Sequence, residues 1–136
     1  MTTIDWRGRT AAVFAAATAG VLLTAGAAHA DDYAVSVLDD SGYAIWTEVG
    51  DNLQVCDRAA DGWGVRGYIY VPTTTGSANG TVMIKASDPK FDTECASVSV
   101  DLDEHIDLSI KVCNYKGASI VLCNWESIPG RPSQET

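Results

Sequence analysis

Histidine is nearly missing from this chain. Of two in 136 residues, His29 falls in the first thirty, which leaves His105 as the one imidazole beyond them. No Gly-x-Ser-x-Gly occurs, so the nucleophile elbow of the α/β-hydrolases is excluded. No Cys-x-x-Cys or Cys-x-His occurs either, which removes the usual zinc-ligand spacings. Basic residues are few, nine Lys+Arg against eighteen Asp+Glu for a net charge of −9, and they are scattered. Phosphate binding needs gathered cations, so nucleic acid is not an expected partner. Past residue 30 no apolar run is long enough to span a bilayer, and no segment carries a helical 3.6-residue period.

What is present begins with an address. Arg7 and Arg9 precede a nearly uncharged Ala/Val/Leu run from Thr10 to Ala28, and Ala28-His29-Ala30 is a small-x-small cleavage site. Residues 1–30 therefore read as a signal peptide, with cleavage before Asp31. The export reading places the protein outside the cell, without membrane attachment once the leader is removed. Loss of Asp5, Arg7 and Arg9 leaves seven Lys+Arg against seventeen Asp+Glu, a net charge of −10.

All four cysteines, Cys56, Cys95, Cys113 and Cys123, follow the leader. An even count in an exported chain reads as two disulfides, with three pairings open. The favoured pairing is Cys56–Cys95 with Cys113–Cys123, because the second pair flanks a single turn.

The chain is organised around Ile106 to Trp125. Ile106, Leu108, Ile110 and Val112 alternate with polar residues, Asn114–Gly117 supplies turn chemistry, and Ile120 and Leu122 resume the pattern. Upstream, short alternating runs recur at Tyr33–Leu38, Tyr43–Val49, Leu53–Cys56, Val65–Val71, Val82–Ala86 and Val98–Leu102, separated by Gly/Asp/Asn/Pro turns. Seven or eight short strands predict an all-β fold, a small antiparallel immunoglobulin-like β-sandwich with two disulfides. Its expected span is residues 31–126, followed by a flexible tail at residues 127–136 that holds two prolines and no pattern.

The motifs V-C-D-x-x-A-D-G around Cys56, T-x-C at Cys95, I-K-V-C at Cys113 and C-N-W at Cys123 resemble a broad group of small exported actinomycete proteins. The resemblance spans about Leu53 to Trp125 and implies a four-cysteine β-sandwich. By size, export and fold type the chain is also similar to the adaptor subunit of umbrella-shaped toxin particles, which joins a lectin-bearing subunit to a stalk. That similarity implies another secreted protein, a lectin or toxin subunit, as partner.

Candidate chemistry is sparse. His105 stands in a turn between Glu104 and Asp107, and the cluster Asp101, Asp103, Glu104, Asp107 lacks the glycine and length of a calcium loop. A solvated turn accounts for both, and no metal or cofactor is expected. Arg66, Tyr68 and Tyr70 alternate with core-type residues and predict an outward stripe, with Trp63 in the preceding loop. Tyr, Trp and Arg favour binding hot spots and sugar rings, so a protein partner or a carbohydrate is implied. Ordinary cross-strand pairing would explain the same tyrosines. Trp46 is expected as a second exposed aromatic, and Trp125 as core against the disulfide. Tyr33, Val35 and Val37 precede the first cysteine and are expected either to pack or to dock on a partner by strand addition. The leading expectation is a secreted non-enzymatic binding or adaptor protein. The alternatives are a protease inhibitor presenting the 57–64 or 87–94 loop, and a small hydrolase using the acidic turn around His105.

Overall fold

The computed structural model describes residues 32–131. The expected signal peptide and the last five residues of the expected tail lie outside them. Each alternating run becomes a strand: β1 (Asp32–Ser36), β2 (Gly42–Thr47), β3 (Asn52–Asp57), β4 (Gly64–Pro72), β5 (Gly80–Asp88), β6 (Ala96–Ser99), β7 (Leu108–Lys116) and β8 (Ser119–Ile128). All pairings are antiparallel, in two four-stranded sheets ordered β1-β2-β3-β6 and β5-β4-β7-β8. Connections cross between the sheets at β3–β4, β5–β6 and β6–β7. With β3 taken as strand B, the order β3-β6 opposite β5-β4-β7-β8 is that of B-E opposite C′-C-F-G in an immunoglobulin sandwich.

One core joins the layers. Trp46, Leu53 and Val55 from the first sheet meet Val65, Ile69, Ile110 and Val112 from the second, all essentially inaccessible. The layers approach closely at Gly67, where an added Cβ would stand 2.6 Å from Val55 Cγ2 and 3.1 Å from Ala44 Cβ. Small residues narrow the sandwich there, and Trp46 fills it one pair further along β2.

Cys56 is bonded to Cys95, and Cys113 to Cys123. Each bridge ties neighbouring strands within one sheet: β3 to the residue before β6, and β7 to β8. Neither joins the two sheets, so cohesion between layers falls to the apolar core and a few hydrogen bonds. The loops closed, 39 and 10 residues in separation, imply roughly 4 and 3 kcal/mol of loop-closure stabilisation.

Several expectations are corrected. Trp46 is 1% exposed, because the phase of β2 puts Ala44 and Trp46 inward and Ile45 half outward. Trp125 is 38% exposed rather than core. In the alternating run Val98–Leu102, whose apolar members Val98, Val100 and Leu102 are expected to face inward, Val98 and Val100 are exposed, since β6 is a four-residue edge strand and only Leu102 returns to the core. Of the two fates expected for Tyr33, Val35 and Val37, these side chains show packing: all three turn inward, with Val35 and Val37 buried, while β1 remains an edge strand paired only with β2. Finally, β8 runs on to Ile128, which is 2% exposed, and the expected tail is anchored as far as Arg131.

Candidate interaction surfaces

The sheets differ in length. Strands of the first have four to six residues, while those of the second have nine or ten. The β7–β8 hairpin therefore overhangs the layer that would cover its tip. Its second strand opens with Ser119, Ile120, Val121 and Leu122, all exposed, and Leu38 beside them is 64% exposed. Sequence alternation had suggested that Ile120 and Leu122 face the core. A register shift between Val112 and Asn114 breaks that alternation, and Leu122 takes a left-handed φ of 55°. A branched side chain pays steric strain in that region, of the order of 1–2 kcal/mol. The surroundings fix it: Cys123 is bonded to Cys113, and the Leu38 amide donates to the Leu122 carbonyl at 3.2 Å.

Polar bonds beneath the tip hold it to the other sheet. The Ser41 hydroxyl donates to Asn114 Oδ1 at 2.9 Å, and Asn114 Nδ2 donates back to Ser41 Oγ at 2.7 Å, both groups buried. Asn124 Nδ2 donates to the Ser36 carbonyl at 3.0 Å. A shallow hollow beside the tip is lined by Asp39, Asp61, Trp63, Asn114, Val121 and Leu122. The Ser41 hydroxyl and amide hold the Asp39 carboxyl below its usual range, so Asp39 presents a full negative charge at neutral pH. The tip is thus an apolar knob with an acidic flank.

The second surface is the outer face of β5-β4-β7-β8. Arg66 and Tyr68 lie on it, half-exposed, as the sequence predicted. Arg66 Nε donates to Ser87 Oγ at 2.8 Å, and its guanidinium stacks 4.0 Å from the centre of the Tyr115 ring. Tyr115 in turn covers Gly64, where a Cβ would come within 2.6 Å of the ring. Trp63 is half-exposed in the β3–β4 loop, with the Lys116 ammonium 5.9 Å from its ring. Tyr70 shares the face of Tyr68 but is 2% exposed, and its hydroxyl donates to the Ser77 carbonyl at 3.1 Å. The β4–β5 connection covers it, and burial pushes its phenol upward. Tyr70 is therefore withdrawn from the exposed stripe. Lys85, Lys111, Tyr115 and Trp125 join the face in its place, and strand alternation alone could have found them once the pairing was known.

The acidic turn is occupied by its own structure. Asp51 Oδ2 accepts the Leu102 amide at 2.9 Å, and Asp107 Oδ1 accepts the Gly130 amide at 2.9 Å. Arg131 bonds Glu48 through Nε at 3.1 Å and Glu104 through Nη1 at 3.0 Å. His105 Nδ1 lies 3.0 Å from Asp103 Oδ1, which also accepts the His105 amide; these bonds hold the Asp103 carboxyl below its usual range. Among the described residues no group of three or more His, Cys, Asp or Glu could hold a metal ion. One carboxyl is stranded: Asp57 is 5% exposed, and its Oδ2 has no hydrogen-bond partner. Burial pushes its pKa up, against the bond from the Ala59 amide and with help from Asp61, Asp88 and Asp92.

Comparison with protein-family models, with curated proteins and with solved structures finds no match to this chain.

Proposed function

We propose that the protein is a secreted, non-enzymatic binding or adaptor protein that acts through protein–protein contacts, and that its docking element is the tip of the β7–β8 hairpin. The observation that carries this reading is the exposure of Ile120, Val121 and Leu122 in succession, at 45, 38 and 42%. Consecutive apolar residues in solvent are a liability in a monomer unless something covers them. Here they are held rigid by the Cys113–Cys123 bridge, so little conformational entropy is lost on docking. The partner of matching chemistry is a protein with an apolar cleft rimmed by basic side chains, facing Asp39 and Asp61. The two disulfides suit an oxidising compartment and support secretion. The similarity to toxin-particle adaptors extends the proposal to a subunit of a secreted toxin complex, with a lectin or toxin subunit as partner.

The test is a pull-down from the producing culture's medium with the purified protein and its Val121→Asp variant, read by mass spectrometry. The reading expects a stoichiometric partner on the wild type that drops at least tenfold on the variant, with both proteins equally stable. Equal capture by both would overturn it.

A further inference from the structure

The strand register places four side chains of the outer face of β5-β4-β7-β8 in one transverse row. Lys85 pairs with Tyr68, Tyr68 with Lys111, and Lys111 with Trp125. The row reads cation, aromatic, cation, aromatic. Neighbouring strands are about 4.8 Å apart, so like groups repeat about every 9.6 Å. Arg66, stacked on Tyr115, adds a third cation one row away. No Asp or Glu occupies a ladder position on this face. Neither Lys85, Lys111 nor Arg66 is in an ion pair with a carboxylate among the described residues. Seventeen carboxylates and seven cations follow residue 30, so three of the seven stand unpaired on one acid-free face.

We infer that this face is a binding site for a linear polysaccharide whose disaccharide repeat carries one carboxylate. Pyranose rings have an apolar face that stacks on aromatic side chains, and the exposed Trp125 and half-exposed Tyr68 offer such platforms two strands apart. That separation is about the length of a disaccharide in an extended chain. With a sugar on each ring, the uronate between them meets Lys111, and the uronate of the next repeat, beyond Tyr68, meets Lys85. Beside the row's two central members, Tyr68 and Lys111, lies a hollow of about 230 Å³ walled also by Tyr70, Asn79, Gly80 and Val82, large enough to seat one further ring. Charge density selects the ligand class. The protein's net charge of −9 repels a densely charged polyanion at long range. A chain with one charge per two sugars meets less of that repulsion than a dense polyanion does, and unlike a neutral chain it carries charges at the cation spacing. The site is separate from the hairpin tip and does not depend on the protein contact proposed there.

The experiment is titration of the purified protein with hyaluronan decasaccharide, followed by calorimetry and tryptophan fluorescence. Neutral cellohexaose, poly-glutamate and oligo-thymidylate serve as competing probes. Hyaluronan is expected to bind with Trp125 quenched, at least tenfold more tightly than each of the others. Lys85→Gln with Lys111→Gln, and separately Trp125→Ala, should each weaken it at least tenfold while urea unfolding midpoints stay unchanged. Poly-glutamate binding as tightly as hyaluronan, insensitive to Trp125→Ala, would replace the proposal with an acidic protein segment. Tighter oligo-thymidylate binding would replace it with a nucleic acid. No hyaluronan binding at millimolar concentration, or binding that the double variant leaves unaltered, would overturn it.

Discussion

Two residues show how far single positions constrain this fold. Gly67 stands at the narrowest point between the sheets, on β4 in the middle of its layer, where a methyl group would meet Val55 and Ala44. Gly67→Ala should destabilise by about 1–3 kcal/mol, the usual cost of overpacking a core, and urea unfolding would measure it. Asp57 makes the opposite kind of demand. Its carboxyl is buried with one oxygen unpartnered, so the folded state favours the protonated form. Between the ordinary value of 3.8 and its raised folded value, the native state holds the proton more firmly than the unfolded chain. Stability from this group is therefore greatest in acid and falls as pH rises through the folded value. Asp57→Asn can keep the bond from the Ala59 amide and removes the titration. Its unfolding midpoint should gain on the wild type as pH rises from 4 to 7, and parallel pH profiles would refute the assignment.

At the scale of elements, the alternating runs were legible, and each matches an observed strand within a few residues. The facing of side chains was legible where a strand is central and both neighbours are regular, as for Leu108, Ile110 and Val112. It was not legible where pairing is irregular. On β5 the register shifts opposite Ile69 and Tyr70, which leaves Met83 unpaired and turns Val82 to the outer face at 53% exposure. On β8 the shift near the disulfide exposes Leu122. Trp46 and Trp125 exchanged expected places for a related reason: local alternation gives two faces but does not say which one the opposite sheet covers. The stripe Arg66–Tyr68 was visible in sequence, whereas Lys85, Lys111 and Trp125 required the register. The hairpin tip yields a prediction at this level. Leu122→Gly should relieve the left-handed strain and raise stability by up to about 1–2 kcal/mol while weakening partner capture. Replacing both Cys113 and Cys123 by serine should cost about 3 kcal/mol, from the loop of 10 residues in separation, in the same unfolding measurement.

Across the whole molecule, unequal layers account for where a partner can act. The short sheet covers only part of the long one, which frees the β7–β8 tip. The long sheet turns a cationic, aromatic and acid-free face outward. Glu48 and Glu104 brace Arg131, and Asp39 and Asp61 flank the tip, so these carboxylates stand apart from the cationic face. Such segregation suits a protein that joins two different partners through two different surfaces. The central claim is that the hairpin tip docks a protein, and site-specific photo-cross-linking tests it most directly. A photoreactive residue placed at Val121, and in a second preparation at Gln54 on the opposite sheet, would be irradiated in the native medium. The account predicts one discrete cross-linked species from position 121 and none from position 54. Cross-links from both positions alike, or from position 54 alone, would contradict it.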